Sequence, residues 1–436
     1  MNKDITSQIE IASDIIQNLE QDIKNVEDFC SLLSKSLTQN TTKMVEIILS
    51  AAVILSASDI HFEPQKEKVR LRLRIDGLLT DIFFFEPFFY KTILSRIKLV
   101  SGTMLNISNR AQDGRFTILY AGQPIEVRVS CLPSEYGEAL VMRVLNPKNI
   151  LTTQDLGIRQ DMMEVFEKEI RQPNGMILVT GPTGSGKTTT LYAILKKIYN
   201  PAVKIITIED PIEYHLSGIS QTQVNPEAGY DFASGLQAIV RQDPDVILVG
   251  EIRDFATAQI ALQAALTGHL VLSTLHTNDA SGVIVRLEAL GEKPHNIAPA
   301  LNLSIGQRLV RRVCPNCAKQ SRVTEKELAE IKKEIDNLPQ MVKEKIKLPS
   351  LNASLTMKRA VGCGDCNHTG YKSRIGIFEF FQVDEEIREL IIQSPSVMQI
   401  AKKAKEKGMT TLKQDGIIKV LQGITTLEEV KSVTGQ

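Results

Sequence analysis

Charge of neither sign is in excess in this chain: 51 Lys and Arg stand against 51 Asp and Glu among 436 residues. That balance argues against a dedicated DNA or RNA binder, which carries a visible positive surplus. Long hydrophobic runs are missing as well. The best candidate, residues 47–55, falls short of the ~18 apolar residues a bilayer span needs. The polar stretch 56–59 closes it. Met1-Asn2-Lys3-Asp4 leads into no signal-peptide core, so a cytosolic protein is the expectation. Internal repeats and low-complexity tracts are absent too. Cysteine is sparse, yet four of the six cysteines form two C-x-x-C pairs, Cys314/Cys317 and Cys363/Cys366. In a reducing compartment such pairs read as zinc ligands before disulfides; a redox pair is the rival reading, and two matched pairs favour zinc. Cys30 and Cys131 stand alone, and Cys131, at the end of an alternating stretch, reads as packing.

Against these absences stands one strong signal. Gly181-Pro182-Thr183-Gly184-Ser185-Gly186-Lys187-Thr188-Thr189 fits G-x-x-x-x-G-K-[ST] in full. An apolar run, 176–180, precedes it, and a stretch with helical spacing, 189–195, follows. That is the strand–loop–helix setting in which glycines let successive N–H groups turn toward one anion at a helix N-terminus. Lys187 then reaches the β- and γ-phosphates of ATP, and the Thr188 hydroxyl is offered to Mg²⁺. The competing reading is a glycine-rich turn that matches by accident, and the flanking strand and helix weigh against it.

The rest of the chain divides by period. Residues 1–42 are polar, with Ile5, Ile9, Ala12, Ile16 and Leu19 at helical spacing, and read as one or two weakly anchored short helices. Residues 43–146 read as a small α+β domain. It opens with an amphipathic helix over 41–55, then turns to period two, with Val69, Leu71, Leu73 and Ile75 alternating with Arg70, Arg72 and Arg74. A second alternating stretch, 116–129, folds back through Ala121-Gly122-Gln123-Pro124. Residues 147–155 form a linker. Over 156–312 strand patterns near 176–180, 204–209, 246–250 and 270–274 alternate with helices, which predicts a parallel sheet covered on both faces. Residues 313–376 form a cysteine-bounded segment with a charged helix over 324–338, and from Phe378 to the end the pattern reads as helical.

Acids collect where ligands of open α/β sheets bind, past the carboxyl ends of the strands. The second strand runs into Glu209-Asp210-Pro211-Ile212-Glu213, and the third delivers Gly250-Glu251-Ile252-Arg253-Asp254. Gly250 stands where many NTPases place the Mg²⁺-holding Asp, so Glu251 is the principal acid. It is the candidate for orienting and polarising the attacking water, with Glu213 or Glu209 acting through a second water. The fourth strand carries His269 and His276 at its two ends; His276 is placed to sense the γ-phosphate, and His269 equally reads as a structural hydrogen bonder.

Taken together, these four elements resemble the secretion and type IV pilus assembly ATPases of the GspE, PulE and PilB type. Glu209-Asp210-Pro211 resembles the family's Asp box, 250–254 its Walker B element and 270–280 its His box. Ala57-Ser58-Asp59-Ile60-His61-Phe62-Glu63-Pro64, Arg74-Ile75-Asp76-Gly77, Gln112-Asp113-Gly114-Arg115 and Val127-Arg128-Val129-Ser130 resemble its smaller N-terminal domain, and 423–430 its C-terminal tail. The resemblance covers about residues 43–436. It implies a RecA-like P-loop core with a PAS-like α+β N-terminal domain, a tetracysteine zinc module and a helical C-terminal segment. It further implies a homohexamer that hydrolyses ATP in the cytoplasm, peripheral to the inner membrane. Its partners there are platform and assembly proteins of a secretion or pilus system.

Arg115 and Arg128 become candidate phosphate-contacting arginines by the same resemblance; without it they read as ordinary arginines on an exposed sheet face. About 45 residues separate the two cysteine pairs, so the implied zinc, held by four thiolates, pins the base of a long excursion. About 42 residues precede the matched region, short of the extension with which secretion-type members dock on an inner-membrane partner. Three alternatives remain beside the assembly motor: a retraction motor, which in this family generally lacks the four cysteines; a nucleic-acid translocase, which the neutral charge disfavours; and a non-hydrolytic scaffold, which intact Lys187, Thr188 and Glu251 disfavour.

Overall fold

A computed structural model describes residues 8–37 and 40–435, which fall into two compact units. The first comprises residues up to 149 together with 314–317 and 361–372; the second comprises 150–313, 318–360 and 373 onward.

The first unit is built on a seven-stranded sheet: β1 (Gln8–Glu10), β2 (Asp59–Pro64), β3 (Val69–Ile75), β4 (Leu78–Phe85), β5 (Gln112–Tyr120), β6 (Gln123–Ser134) and β7 (Gly137–Leu145). The spatial order is β1-β5-β6-β7-β2-β3-β4, antiparallel throughout except for β1, which runs parallel to β5. Strict alternation explains the layering. Phe116, Ile118, Val127, Val129, Leu71 and Leu73 point into one core, while the intervening charged residues occupy the other face.

Two expectations need correction here. The helix Thr41–Ile54 is buried over most of its length, from Met44 to Ala52 apart from the half-buried Glu46, because it packs into the core shared by the sheet and the neighbouring helices. The amino-terminal segment is also more than loosely attached. β1 joins the sheet edge, and Ile16, Leu19, Ile23, Phe29 and Leu33 of the following helices enter the same core. Ile5 lies outside the described residues.

In the second unit the sheet comprises β8 (Gly175–Thr180), β9 (Ile205–Glu209), β10 (Ser220–Gln223), β11 (Val246–Val249), β12 (Leu270–Leu275) and β13 (Leu301–Val313); after a small antiparallel pair, β14 (Lys319–Arg322) and β15 (Thr356–Arg359), it is completed by β16 (Tyr371–Gln382). The order is β10-β9-β11-β12-β8-β13-β16, and the pairings from β10 through β13 are parallel. Both faces are covered: Met176, Leu178, Ile247 and Val271 pack on one side, and Ile177, Val179, Leu248 and Leu272 on the other. The carboxyl-terminal reading requires one correction. Residues 377–381 are fully or nearly buried strand, and helices begin only at Glu385. A short aromatic and β-branched run does not by itself separate a central strand from a buried helix.

A polar knot lies inside this second unit. Asp415, fully buried, accepts hydrogen bonds from Arg159 Nη1 at 3.0 Å, the Phe378 amide at 2.7 Å and Lys419 Nζ at 2.5 Å. Arg159 also forks onto Asp161 through Nε at 2.9 Å and Nη2 at 2.8 Å. Burial pushes the Lys419 ammonium below its usual range, and the Asp415 charge opposes that shift. Removing one partner of such a set strands the others without water. Asp415→Ala is expected to cost about 3–5 kcal/mol in a urea unfolding experiment. A loss below about 1 kcal/mol would show that the two cations relax to solvent.

Candidate active site

Four strands of the second unit deliver their carboxyl ends to one edge. β8 ends in the loop 181–186, which runs into the helix Lys187–Ile198. Two glycines there have no substitute. Gly181 has φ +150° and a Cβ on it would meet the Gln307 carbonyl at 2.5 Å; Gly186, φ +88°, would meet Gln307 Nε2 at 2.8 Å. Thr190 Oγ1 donates to Gln307 Oε1 at 2.7 Å, fastening the first helical turn to β13. Ser185 Oγ is buried and makes no hydrogen bond among the described residues. A hydroxyl in that position fits a phosphate oxygen, since a buried donor is costly without an acceptor. Lys187 Nζ folds onto the carbonyls of Gly181 at 2.9 Å and Pro182 at 3.2 Å. Burial lowers its pKa, with Glu251 opposing and Arg308 adding to the shift. Pro182, Thr183 and Gly184 are exposed along the loop, as is Thr188 at the start of the helix, while Thr189 is half-buried.

The three acids of the sequence reading separate. Glu251, just past β11, ends within 2.5 Å of Arg253 Nη2 and 3.6 Å of His276 Nε2, and its side chain retains 15% exposure. Glu209, at the tip of β9, is only 3% exposed. One of its oxygens accepts from the Tyr192 hydroxyl; the other accepts from Thr207 Oγ1 at 2.6 Å and Gln221 Nε2 at 3.2 Å. Three of the roughly four acceptor sites of the carboxylate are thus engaged within the protein, and Glu209 braces this end of the sheet. Glu213 follows the cis Asp210–Pro211 peptide, is half-buried, and its amide donates to the Tyr192 hydroxyl at 3.3 Å. Tyr192 therefore ties the helix after the phosphate loop to the acidic turn. The sequence offered no signal for it, because a tyrosine at that helical position reads as core. Burial and the Glu209 charge raise its phenol pKa, keeping the donor proton in place.

The two histidines have different surroundings. His269 Nδ1 lies 2.9 Å from the Ala264 carbonyl, a local structural contact. His276 is half-exposed beside Glu251. The loop after it is held against β8 and β16: the Thr277 amide donates to Thr180 Oγ1 at 2.9 Å, and the Ala280 amide donates to Glu379 at 2.8 Å.

Arg115 and Arg128 belong to the first unit, where they face each other across β5 and β6. The register extends their row. Arg128 opposes Arg143 on β7, Arg143 opposes Asp59 on β2, and Asp59 opposes Arg74 on β3. Four arginines therefore share one face and one line, with a single aspartate among them. Asp59 accepts from Arg143 Nε at 3.1 Å and lies 3.3 Å from Arg74 Nε, while Arg128 Nε is 3.8 Å from Glu126. Like charges directly opposite destabilise a sheet. Arg143 was missed by sequence reasoning because only the strand register reveals that it continues the line.

The two C-x-x-C pairs converge in the same unit. All four sulfurs lie within 4.8 Å of one another, with Cys314–Cys363 at 4.0 Å, Cys317–Cys366 at 3.8 Å and Cys363–Cys366 at 3.7 Å. Those separations exclude disulfides, whose sulfurs are about 2.05 Å apart. Thiolates about 2.3 Å from a tetrahedral zinc lie roughly 3.8 Å from each other, so the residues fit that ion. Backbone amides of Gly362 and Gly370 point at Cys317 and Cys366, each at 3.3 Å. Burial works against ionisation of Cys366, but the amides of Cys363 and Gly370 and the neighbouring thiols bring its pKa below the usual thiol range, while burial pushes Cys317 and Cys363 up. Asn367 Oδ1, next to the last cysteine, accepts from the Val26 amide at 2.8 Å, joining the cluster to the helix Val26–Ser36.

No helix among the described residues is long and apolar enough to cross a membrane. Over residues 35–432 the chain matches the family described as Type II/IV secretion system protein. It is 44% identical over 393 residues to a type IV pilus assembly ATPase PilB of Thermus thermophilus, covering 90% of this chain and 43% of that one. This chain thus spans less than half the length of the Thermus protein. It is 41% identical over 430 residues to a type II secretion system protein E of Aeromonas hydrophila, covering 96% and 82%. Among solved structures, the pilus retraction motor PilT with bound ADP aligns with a TM-score of 0.59 and 27% identity, over 89% of this chain and 96% of that one.

Proposed function

We propose, for a chain that belongs to the type II/IV secretion system protein family, that it is an ATPase and turns over ATP as a cytoplasmic homohexamer at the inner membrane. The work passes to platform proteins that assemble a type IV pilus or a type II secretion pseudopilus. The observation that carries this reading is the convergence of Lys187, Glu251 and His276 at one carboxyl edge, beside a phosphate loop with an unsatisfied buried hydroxyl. Phosphoryl transfer asks mainly for positioning and charge neutralisation. Lys187 and the loop amides hold the β- and γ-phosphates, and Thr188 offers its hydroxyl to Mg²⁺. Glu251 orients the attacking water, with Glu213 as its second acid and His276 reporting the γ-phosphate. Glu209 acts at one remove, by fixing the turn that presents Glu213.

In the assembled ring, Arg115 and Arg128 supply guanidinium groups to charge that develops in the transition state. Arg115→Ala and Arg128→Ala are each expected to lower kcat about 10–10³-fold while changing nucleotide affinity far less, below a dedicated arginine finger because the role is shared. Steady-state kinetics with the oligomer followed by light scattering checks this; wild-type turnover in both variants would remove the arginines from the site.

The second reading, a retraction motor, is favoured by the likeness to PilT. The cysteine cluster weighs for assembly. Cells lacking the chain separate the two: loss of fibres or of secretion supports assembly, whereas an excess of fibres supports retraction.

A further inference from the structure

We propose that Arg308 binds the terminal phosphate of the bound nucleotide and relays its presence to the loop 277–280. The inference rests on the ATPase reading above and assigns that site a further cation.

Arg308 stands on β13, the strand beside β8, and its guanidinium lies against the first residue of the phosphate loop. A Cβ built on Gly181 would come within 3.0 Å of Arg308 Nη1. Its charge also reaches Lys187, whose ammonium it helps to destabilise. Yet among the described residues Arg308 makes no ion pair. Its hydrogen bonds go to backbone carbonyls: Nη1 to Gln307 and Nη2 to Asn278, both at 2.9 Å. Glu379 and Asp279 attract it only from beyond hydrogen-bond reach. A half-buried guanidinium held by neutral acceptors, next to a loop built for phosphates, gains two charge-assisted bonds if it turns to phosphate oxygens.

The same side chain fastens the His-box loop at its middle. Thr277 is tied to Thr180 and Ala280 to the buried Glu379, so both ends of this short segment are anchored to strands. Asn278, between them, is joined to Arg308 through its carbonyl. That bond is the one a phosphate competes for. When the guanidinium turns to the nucleotide, the centre of the loop is released while its ends stay fixed. His276, the neighbour of this segment, is 3.6 Å from Glu251. The relay therefore runs from terminal phosphate to Arg308, to Asn278, to the histidine beside the principal acid. ADP, which lacks the terminal phosphate, leaves the tie in place.

The test compares affinities for ADP and for a non-hydrolysable ATP analogue, measured by calorimetry on the full chain. Arg308→Gln keeps a donor for the Asn278 carbonyl but removes the charge. It is expected to weaken the triphosphate about tenfold or more and ADP less than about threefold. Equal weakening of both nucleotides, or of neither, overturns the proposal and leaves a structural tie. Should that variant fail to fold, hydrogen exchange on the wild-type chain decides: faster exchange over 276–280 with the triphosphate than with ADP supports the relay, and identical exchange overturns it. Binding of neither nucleotide by the wild-type chain would instead overturn the ATPase reading itself, and this inference with it.

Discussion

Glu251→Gln is expected to lower ATP turnover by about 10³-fold while leaving nucleotide affinity within a few-fold of the parent. The amide preserves the shape of the side chain and can still hydrogen-bond Arg253, but it cannot orient and polarise water as a carboxylate does. Lys187→Ala should differ in kind. Lys187 Nζ rests on two carbonyls of the phosphate loop, at 2.9 and 3.2 Å. Its loss should abolish turnover and also weaken binding, because the charge serves ground state and transition state alike. Phosphate-release kinetics paired with fluorescent-nucleotide titration separate the two roles. Equal loss of binding in both variants would end the division of labour between acid and lysine.

The largest effect on stability should follow removal of zinc. Metal analysis of the purified chain is expected to give one zinc per chain through Cys314, Cys317, Cys363 and Cys366. Structural zinc sites contribute apparent binding energies of about 10–16 kcal/mol in isolated peptides, so chelation should act far more strongly than any single side-chain change. The effect should be regional. Hydrogen exchange ought to accelerate over 314–317 and 361–372, and in the helix Val26–Ser36 whose first amide bonds Asn367, while β8 and the phosphate loop keep their protection. A chain with no metal and all four of these thiols free would refute the site, and uniform loosening of both units would refute its local role.

Much of the chemistry was legible in the amino-acid order because it rests on local geometry. The phosphate loop, the Glu251 strand, the hairpin at Ala121-Gly122 and the capped helix Glu325–Asp336 each depend on residues within a few positions of one another. What escaped depends on partners distant in the chain. Glu209 looks like a surface acid until Tyr192 and Gln221 close over it. The segment at β1 looks like loose helix because only three residues of it pair, and they pair with a strand more than a hundred positions away. Arg143 and Arg74 gain meaning only through a register that sets them in line with Arg115 and Arg128. In each case side-chain type was plain and spatial neighbours were not.

The connectivity of the first unit has a further consequence, for the order in which a growing chain can finish folding. Its sheet is encoded before residue 150, but two of its segments, 314–317 and 361–372, arrive much later. No fragment ending before Lys372 contains the whole unit, and no four-thiolate site exists until Cys366 has emerged from the ribosome. At synthesis rates of about 5–20 residues per second, that interval lasts on the order of 10–40 s. The sheet must persist through it without its final straps, while most of the second unit is made. A boundary drawn at the linker would excise the sheet without its cysteines, so the N-terminal unit cannot be cut out as a contiguous piece of the chain.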